Sequence, residues 1–276
     1  MSVPNSSVLN NQTAASGSNT VLAITVHGWG GSPRSWDPVA FPTNWIVMPY
    51  TLPGHDTRRN DGPFEIPSAG EDLTGFIIGA RTARPDLPVV LIAHSMGGQL
   101  SAWVNAKHPD LIDGEVVIDP AYNGLDDPDS LADLRDVLDR LQADPCGTMH
   151  QFLGGARSKF LPEDRYEAIE ADIERTNPQA LPDYFMSEYF EPGAFGLIGH
   201  TREVTGLRTK PVLGFYTTAA RDEAERACDP AGLPVEISVW EGGHGHFMHQ
   251  EDPDRFIGET ERWVDALDAV RAKAGE

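Results

Sequence analysis

Short apolar runs, rich in Val and Ile, alternate with longer amphipathic stretches over most of the chain. Such runs are too short for helices and indicate strands that are buried on both faces. The predicted strands lie at residues 21–26, 45–49, 89–93, 115–119, 211–216 and 235–240. The predicted helices between and after them lie at residues 35–41, 69–82, 96–107 and 254–272. Strands separated by helices of roughly 10–15 residues predict an α/β fold with a mostly parallel central sheet and helices on both faces.

The strand pattern stops between residues 123 and 205, where leucines recur at helical spacing and aromatic residues cluster. This stretch predicts an inserted helical segment, with helices near residues 131–141 and 162–175. The remaining residues, 20–122 and 206–276, are predicted to form one core. Residues 1–19 are rich in Ser, Asn and Thr and lack the basic and apolar regions of a signal peptide. We expect them to form a disordered tail.

The chain carries 21 Lys and Arg residues and 42 Asp and Glu residues, a formal net charge of −21. An acidic surface repels phosphate backbones and anionic lipid headgroups, so neither nucleic acid nor a membrane is an expected partner. No run approaches the ~18 apolar residues that a membrane-spanning helix needs. Cys146 and Cys228 lie far apart without metal-type spacing, which indicates reduced thiols and a cytoplasmic protein. The expected partner is a small-molecule substrate, and no pattern predicts the oligomeric state.

Ser95 stands between the strand at residues 89–93 and a helix that starts at once. A serine at such a sharp turn tolerates only small residues two positions away on either side, and Ala93 and Gly97 occupy those positions. In this context the sequence resembles the nucleophile elbow of the α/β-hydrolase superfamily, usually written G-x-S-x-G. Ala93 in place of the first glycine is a mild departure. The resemblance implies a serine nucleophile and a helical cap over the site, formed here by residues 123–205.

The resemblance also implies an order of serine, then acid, then a histidine near the end of the chain. Relatives commonly show Gly-His-Phe, with an acidic residue five positions after the histidine and a proline at seven. His246 fits this pattern, because it is flanked by Gly245 and Phe247 and followed by Glu251 and Pro253. His244 fits less well and is the alternative base.

The position of the acid departs from the usual pattern. Most relatives place it eight or nine positions after the proline that precedes the strand at residues 211–216, where this chain has Ala219 and Ala220. Asp222 lies two residues further on. A minority of relatives place the acid directly after the strand that follows the elbow, and Asp119 occupies that position. We predict Asp119 as the acid and keep Asp222 as the alternative.

Acyl transfer requires hydrogen-bond donors aimed at the developing oxyanion. The elbow supplies the backbone N–H of Met96. The segment at residues 27–30 resembles the family's His-Gly-x-Gly turn, and the resemblance assigns the second donor to the N–H of Trp29. The glycines at 28, 30 and 31 lack both phosphate-binding patterns, and the other histidines are scattered. We therefore expect no cofactor and no metal.

These residues predict a serine hydrolase that cleaves a carboxylic ester, a lactone or a related acyl bond of a small apolar substrate. Ser95 would be the nucleophile, His246 the base and Asp119 the orienting acid. One alternative is a cofactor-independent ring-cleaving dioxygenase of the 3-hydroxy-4-quinolone type, because that group on the same fold also places its acid after the earlier strand and uses a His–Asp dyad. A further alternative is a non-catalytic ligand-binding homologue.

Overall fold

In the computed structural model, the backbone is described for residues 20–274 and the side chains for residues 20–267. The tail predicted at residues 1–19 lies outside the described residues. The strands are β1 (Leu22–Val26), β2 (Ile46–Tyr50), β3 (Val89–His94), β4 (Gly114–Ile118), β5 (Val212–Tyr216) and β6 (Val235–Val239). Over the described residues they form one sheet in the order β2-β1-β3-β4-β5-β6, and every neighbouring pair is parallel. The predicted parallel α/β fold is confirmed.

Helices connect these strands and close the chain. They are α1 (Ile66–Ala83), α2 (Met96–Lys107), α3 (Pro128–Ala143), α4 (Pro145–Ala156), α5 (Glu163–Arg175), α6 (Ala180–Tyr189), α7 (Ile198–Thr205), α8 (Ala219–Cys228), α9 (Met248–Glu251) and α10 (Pro253–Ala274). None of the helices described in residues 20–274 combines the length and the apolar character needed to cross a membrane.

One predicted helix is wrong. Residues 35–41 do not form an α-helix, and the chain instead makes a short 3₁₀ turn at Pro33–Trp36. Ser32 starts this turn by accepting a hydrogen bond from the Arg34 N–H at 3.2 Å. Pro38 then ends it, because proline lacks the N–H that a continuing helix would need at that position.

The central strands are buried on both faces, as their uninterrupted apolar sequences predict. One face of the sheet packs on α1 and α2. The opposite face packs on α10 and on two buried tryptophans, Trp36 and Trp240. Burying a Leu, Ile or Val side chain stabilises a fold by roughly 1.5–3 kcal/mol, so this two-sided core holds the strands within the sheet.

The helices α3 to α7 all lie between β4 and β5. Asp127 and Asp144 start α3 and α4, since each carboxylate accepts hydrogen bonds from backbone N–H groups of the first helical turn. Apolar side chains of α3 to α6 form a separate cluster that includes Phe247, the residue after His246. These helices are therefore packed against the loop that follows β6. The boundaries at residues 123 and 205 stay a prediction.

A buried ionic network joins β4 to α8. The Arg208 guanidinium is fully buried and donates to Glu225 at 2.7 Å and to Asp229 at 3.0 Å. It also pairs with Glu115 of β4 at 3.3 Å and donates to the Tyr122 hydroxyl at 2.8 Å. Because a buried charge is tolerated only when it is paired and hydrogen-bonded, this network holds α8 in a fixed place beside the end of β4.

Candidate active site

Ser95 lies on a strained turn between β3 and α2, with φ at +55°. This conformation is rare for a residue with a side chain and costs about 1–3 kcal/mol. A Cβ at Gly97 would lie 2.7 Å from the carbonyl oxygens of Val26 and His27, so no larger residue fits there. The same crowding affects Gly28, where a Cβ would lie 2.9 Å from the Ser95 Cβ. The turn therefore requires the glycine that the sequence places at position 97.

His246 and Asp119 contact each other although they come from different loops. Asp119 follows β4 with φ at +39°, and its N–H donates to the Phe215 carbonyl at 2.9 Å. The His246 Nδ1–H donates to the Asp119 Oδ2 at 2.7 Å. Both side chains are largely buried, with 16% of His246 and 13% of Asp119 exposed. This hydrogen bond fixes the tautomer in which Nε2 is free to accept a proton.

Arg221 of α8 contacts the other oxygen of the same carboxylate. Its Nε lies 3.2 Å from the Asp119 Oδ1, and its Nη2 donates to the Pro120 carbonyl at 2.6 Å. Burial alone raises the pKa of Asp119. The hydrogen bond from His246 and the charge of Arg221 outweigh burial, so the pKa of Asp119 lies below its usual value. Asp119 is thus ionised, as an orienting acid must be.

We expect Arg221→Met to lower kcat roughly tenfold, a factor that corresponds to about 1.4 kcal/mol, because Asp119 loses the cation that stabilises its ionised form. The acidic limb of the kcat profile should also shift to higher pH, since Asp119 loses its neighbouring cation. A matched control is Arg226→Met on the same helix, where Arg226 pairs with Asp222 at 2.7 Å. A pH profile of kcat that is identical in the two variants would contradict this role for Arg221.

The two alternative residues have other partners. Asp222 forms its ion pair with Arg226 on the outer side of α8. His244 pairs with the buried Glu251, its Nδ1 lying 3.0 Å from the Oε2, and stacks on Phe160. Glu251 also accepts a hydrogen bond from the Gly245 N–H. The structure therefore does not bring Asp222 or His244 to the His246–Asp119 pair.

The two predicted oxyanion donors lie beside Ser95. Trp29 and Met96 line the same cavity as Ser95, and within the described residues neither backbone N–H has a protein acceptor. The Trp29 indole donates to the Leu181 carbonyl at 3.2 Å, which fixes the first loop against α6. The N–H of Gly30 donates to His55 Nε2 at 3.1 Å. The backbone N–H groups of Trp29 and Met96 are therefore free to donate to an oxyanion.

Buried neutral histidines surround this site. His94 Nε2 donates to the His246 carbonyl at 2.8 Å and so fixes the backbone of His246. His27 and His55 each accept a backbone N–H on Nε2, which requires the neutral ring. Burial lowers the pKa of His55 to about 4. Burial, together with the nearby His246, lowers the pKa of His249 to about 3.

We expect the buried His249 to destabilise the folded protein at acid pH, and the variant His249→Leu tests this. The folded pKa lies below the usual value of 6.5, so the neutral ring contributes fully above pH 6.5 and its contribution is lost as pH falls towards 3. In that window one such group lowers the free energy of unfolding by about 1.4 kcal/mol per pH unit. Both ring nitrogens lack a hydrogen-bond partner among the described residues, so a leucine replaces the ring without breaking a bond.

Urea unfolding between pH 4 and pH 6 should show a pH slope about 1.4 kcal/mol per unit shallower in His249→Leu than in the unmodified chain. Comparing slopes cancels the groups shared by both proteins, among them Glu188, whose pKa is raised. His200→Leu serves as the control because His200 is exposed. Equal slopes in all three proteins would show that His249 does not carry this effect.

Ser95, His246 and Asp119 share one cavity of about 510 Å³. Its other walls are mainly apolar, and they come from the first loop, the segment after β4, and helices α4, α6 and α8. They are Trp29, Met96, Pro120, Ala121, Gln151, Phe152, Gly155, Ala156, Phe185, Glu188, Tyr189 and Arg221. A narrow recess of about 30 Å³ adjoins the cavity and shares Ser95, His246, Trp29 and Phe152 with it. An apolar cleft with a few convergent polar groups is typical of a small-molecule site.

Comparison with known proteins identifies one family. A model described as the alpha/beta hydrolase family matches residues 23–259. Over 89 residues the chain is 30% identical to pimeloyl-[acyl-carrier protein] methyl ester esterase of Neisseria meningitidis, covering 32% of this chain and 32% of that protein. The chain thus matches about one third of that relative's length. It is 27% identical to mouse monoglyceride lipase over 269 residues, covering 90% of this chain and 84% of that enzyme.

A similar solved structure is that of a thermophilic esterase from Thermogutta terrifontis. The two folds superpose with a TM-score of 0.72 at 17% identity, covering 90% of this chain and 91% of the other. At this identity the likeness concerns the fold.

Proposed function

The chain belongs to the alpha/beta hydrolase family, and on this premise we propose that it is a hydrolase that cleaves carboxylic esters through Ser95, His246 and Asp119. The observation that carries the proposal is the 2.7 Å hydrogen bond between His246 and Asp119 at the wall of the cavity that contains Ser95. A serine hydroxyl is a weak nucleophile near neutral pH and needs such a base. Lactones and related acyl bonds require the same chemistry.

In the proposed reaction, the Ser95 Oγ attacks the substrate carbonyl and His246 Nε2 takes its proton. The negative charge that develops on the carbonyl oxygen is met by the N–H groups of Trp29 and Met96, each worth roughly 10²–10³ in rate. His246 then gives its proton to the leaving alcohol, and a water molecule releases the acyl group by the same steps in reverse. Asp119 remains ionised throughout and stabilises the imidazolium.

The shape of the site supports an ester with two unequal sides. The cavity of about 510 Å³ holds the larger side, and the recess of about 30 Å³ takes a small substituent. The names of two relatives, a methyl ester esterase and a monoglyceride lipase, agree with ester hydrolysis. We propose that the helices α3 to α7 form a cap, because Phe152 of α4 and Phe185 of α6 line the cavity that contains Ser95.

A panel of p-nitrophenyl esters from acetate to dodecanoate, together with simple lactones, tests the proposal. We expect measurable kcat/KM for short and medium acyl chains, because the cavity volume limits the larger side of the substrate. An absence of hydrolysis across the panel would contradict the proposed function.

The dioxygenase reading is the second candidate, since the position of Asp119 after β4 is the feature it shares with this chain. There the His–Asp dyad would deprotonate a hydroxyquinolone and no acyl group would form on Ser95. Oxygen consumption with a hydroxyquinolone panel separates the two, and the ester hydrolase proposal predicts no consumption above background.

We propose a small-molecule substrate as the partner and the cytoplasm as the location. Two observations support this: the net charge of −21 opposes nucleic acid and anionic membranes, and Cys146 and Cys228 are both free thiols.

A further inference from the structure

The cavity has one polar wall besides its apolar ones, and α6 supplies it. Phe185, Glu188 and Tyr189 are spaced three and four positions apart, so they share one helical face, and all three line the cavity. Glu188 is only 5% exposed. The proposed mechanism gives no role to this carboxyl group.

Glu188 is a neutral acid that is paired with Tyr189 at the cavity wall. Burial raises its pKa to about 8, although its hydrogen bond with the Tyr189 hydroxyl acts in the opposite direction. The carboxyl group therefore carries a proton at neutral pH. A protonated carboxyl group and a phenol hydroxyl group can each donate and accept a hydrogen bond, so this pair can bind a ligand group that does both.

The charges facing this wall select the ligand chemistry. Arg221 of α8 lines the same cavity and disfavours a cationic group. Its guanidinium is already engaged by Asp119 and by the Pro120 carbonyl, so it does not offer a free site for an anion. The remaining titratable groups on the cavity wall are Tyr189 and His246. Neither offers a second guanidinium or ammonium group that could pair with a substrate carboxylate. An uncharged group that both donates and accepts fits best.

We propose that Glu188 and Tyr189 form a polar subsite that binds an uncharged hydroxyl group of the substrate, away from the ester bond. This inference rests on the proposed function, since it makes the substrate class hydroxylated carboxylic esters. The protonated carboxyl group donates to the substrate oxygen, and its carbonyl oxygen accepts the substrate proton. A site built to bond a hydroxyl discriminates strongly against an analogue that lacks it.

Two matched ester pairs test the subsite on either side of the scissile bond. They are methyl 6-hydroxyhexanoate with methyl heptanoate, and 2-hydroxyethyl butanoate with propyl butanoate. The quantity measured is the kcat/KM of the hydroxylated ester divided by the kcat/KM of the plain ester. In at least one pair, Glu188→Leu should lower this ratio roughly tenfold. That factor corresponds to one hydrogen bond of about 1.4 kcal/mol. Glu188→Gln should keep most of the preference, because its amide still donates and accepts. Glu191→Leu, at an exposed carboxylate near the end of the same helix, should leave the ratio unchanged.

A pH series gives a readout that a merely structural role would not move. Above pH 8 the KM for the hydroxylated ester should rise in the unmodified enzyme, because Glu188 loses the proton it donates. Glu188→Gln should lack this rise. A ratio unchanged by Glu188→Leu in both pairs, or a preference that falls equally in the Leu and Gln variants, would overturn the subsite.

A binding measurement separates failure of the subsite from failure of the proposed function. In Ser95→Ala, titration calorimetry with the same esters measures affinity without turnover. Preferential binding of a hydroxylated ester that Glu188→Leu abolishes supports the subsite even if the enzyme hydrolyses none of them. The subsite would be overturned if both members of each pair bound with equal affinity, in Ser95→Ala as well as in Ser95→Ala with Glu188→Leu. That result would leave the proposed ester hydrolysis intact.

Discussion

Ser95→Ala should lower kcat for p-nitrophenyl butanoate by at least roughly 10⁴-fold, because removing the nucleophile leaves only the oxyanion donors and substrate binding to accelerate the reaction. The fold should persist, since the alanine keeps the Cβ that the crowded turn already accommodates. Steady-state kinetics and circular dichroism on the same preparation measure both effects.

Ser68→Ala is the matched control, because Ser68 lies on α1 with its hydroxyl exposed and bonded only to Glu65. Its kinetics should equal those of the unmodified enzyme. Ester turnover that persists in Ser95→Ala within tenfold of the unmodified rate would contradict a covalent mechanism. Such a result would favour chemistry that runs on His246 and Asp119 without a serine nucleophile.

Asp119→Asn should reduce kcat by about 10⁴-fold, since an asparagine holds His246 in the wrong tautomer and cannot stabilise the imidazolium. The expected loss follows from the 2.7 Å contact between Asp119 Oδ2 and His246 Nδ1. Asp222→Asn should change kcat by less than about twofold, because exposed ion pairs such as that of Asp222 with Arg226 contribute little.

Parallel kinetics of the two variants decide which carboxylate orients the histidine. A severe loss in Asp222→Asn with a mild one in Asp119→Asn would reverse the assignment. Comparable losses in both variants would show that α8 and the segment after β4 act together through Arg221.

Local sequence was sufficient to predict the elbow. Ser95, Ala93 and Gly97 are neighbours in the chain, and the steric limits that select small residues there act over a few ångströms of backbone. The sheet was predictable for a similar reason, because a strand buried on both faces leaves an uninterrupted apolar run. The helix predicted at residues 35–41 does not form, because Pro38 lies within it and lacks the N–H that an α-helix needs there.

The choice between the two histidines shows the limit of spacing. Glu251 counted in favour of His246 in the sequence, yet in the structure its carboxylate bonds His244 and the Gly245 N–H. It therefore shapes the loop that carries His246 and engages the competing histidine. The spacing in the sequence indicated that Glu251 is important, but it did not reveal which groups Glu251 contacts.

Arg221 and Glu188 were not predictable from the sequence. Arg221 follows the alanines that stand where most relatives place the acid, and only the packing of α8 against the end of β4 shows that it contacts Asp119. Many acidic residues lie near Glu188 along the chain. Glu188 differs from them because it is buried beside the cavity. Both properties arise from tertiary contacts that leave no local pattern.

The central claim is that Ser95 is a nucleophile activated by His246. Labelling with a fluorophosphonate probe, followed by mass spectrometry of the modified peptide, measures this directly. We predict a single adduct on Ser95 that is lost in His246→Ala and retained in His244→Ala. The absence of an adduct on Ser95, or labelling that persists in His246→Ala and is lost in His244→Ala, would contradict the claim.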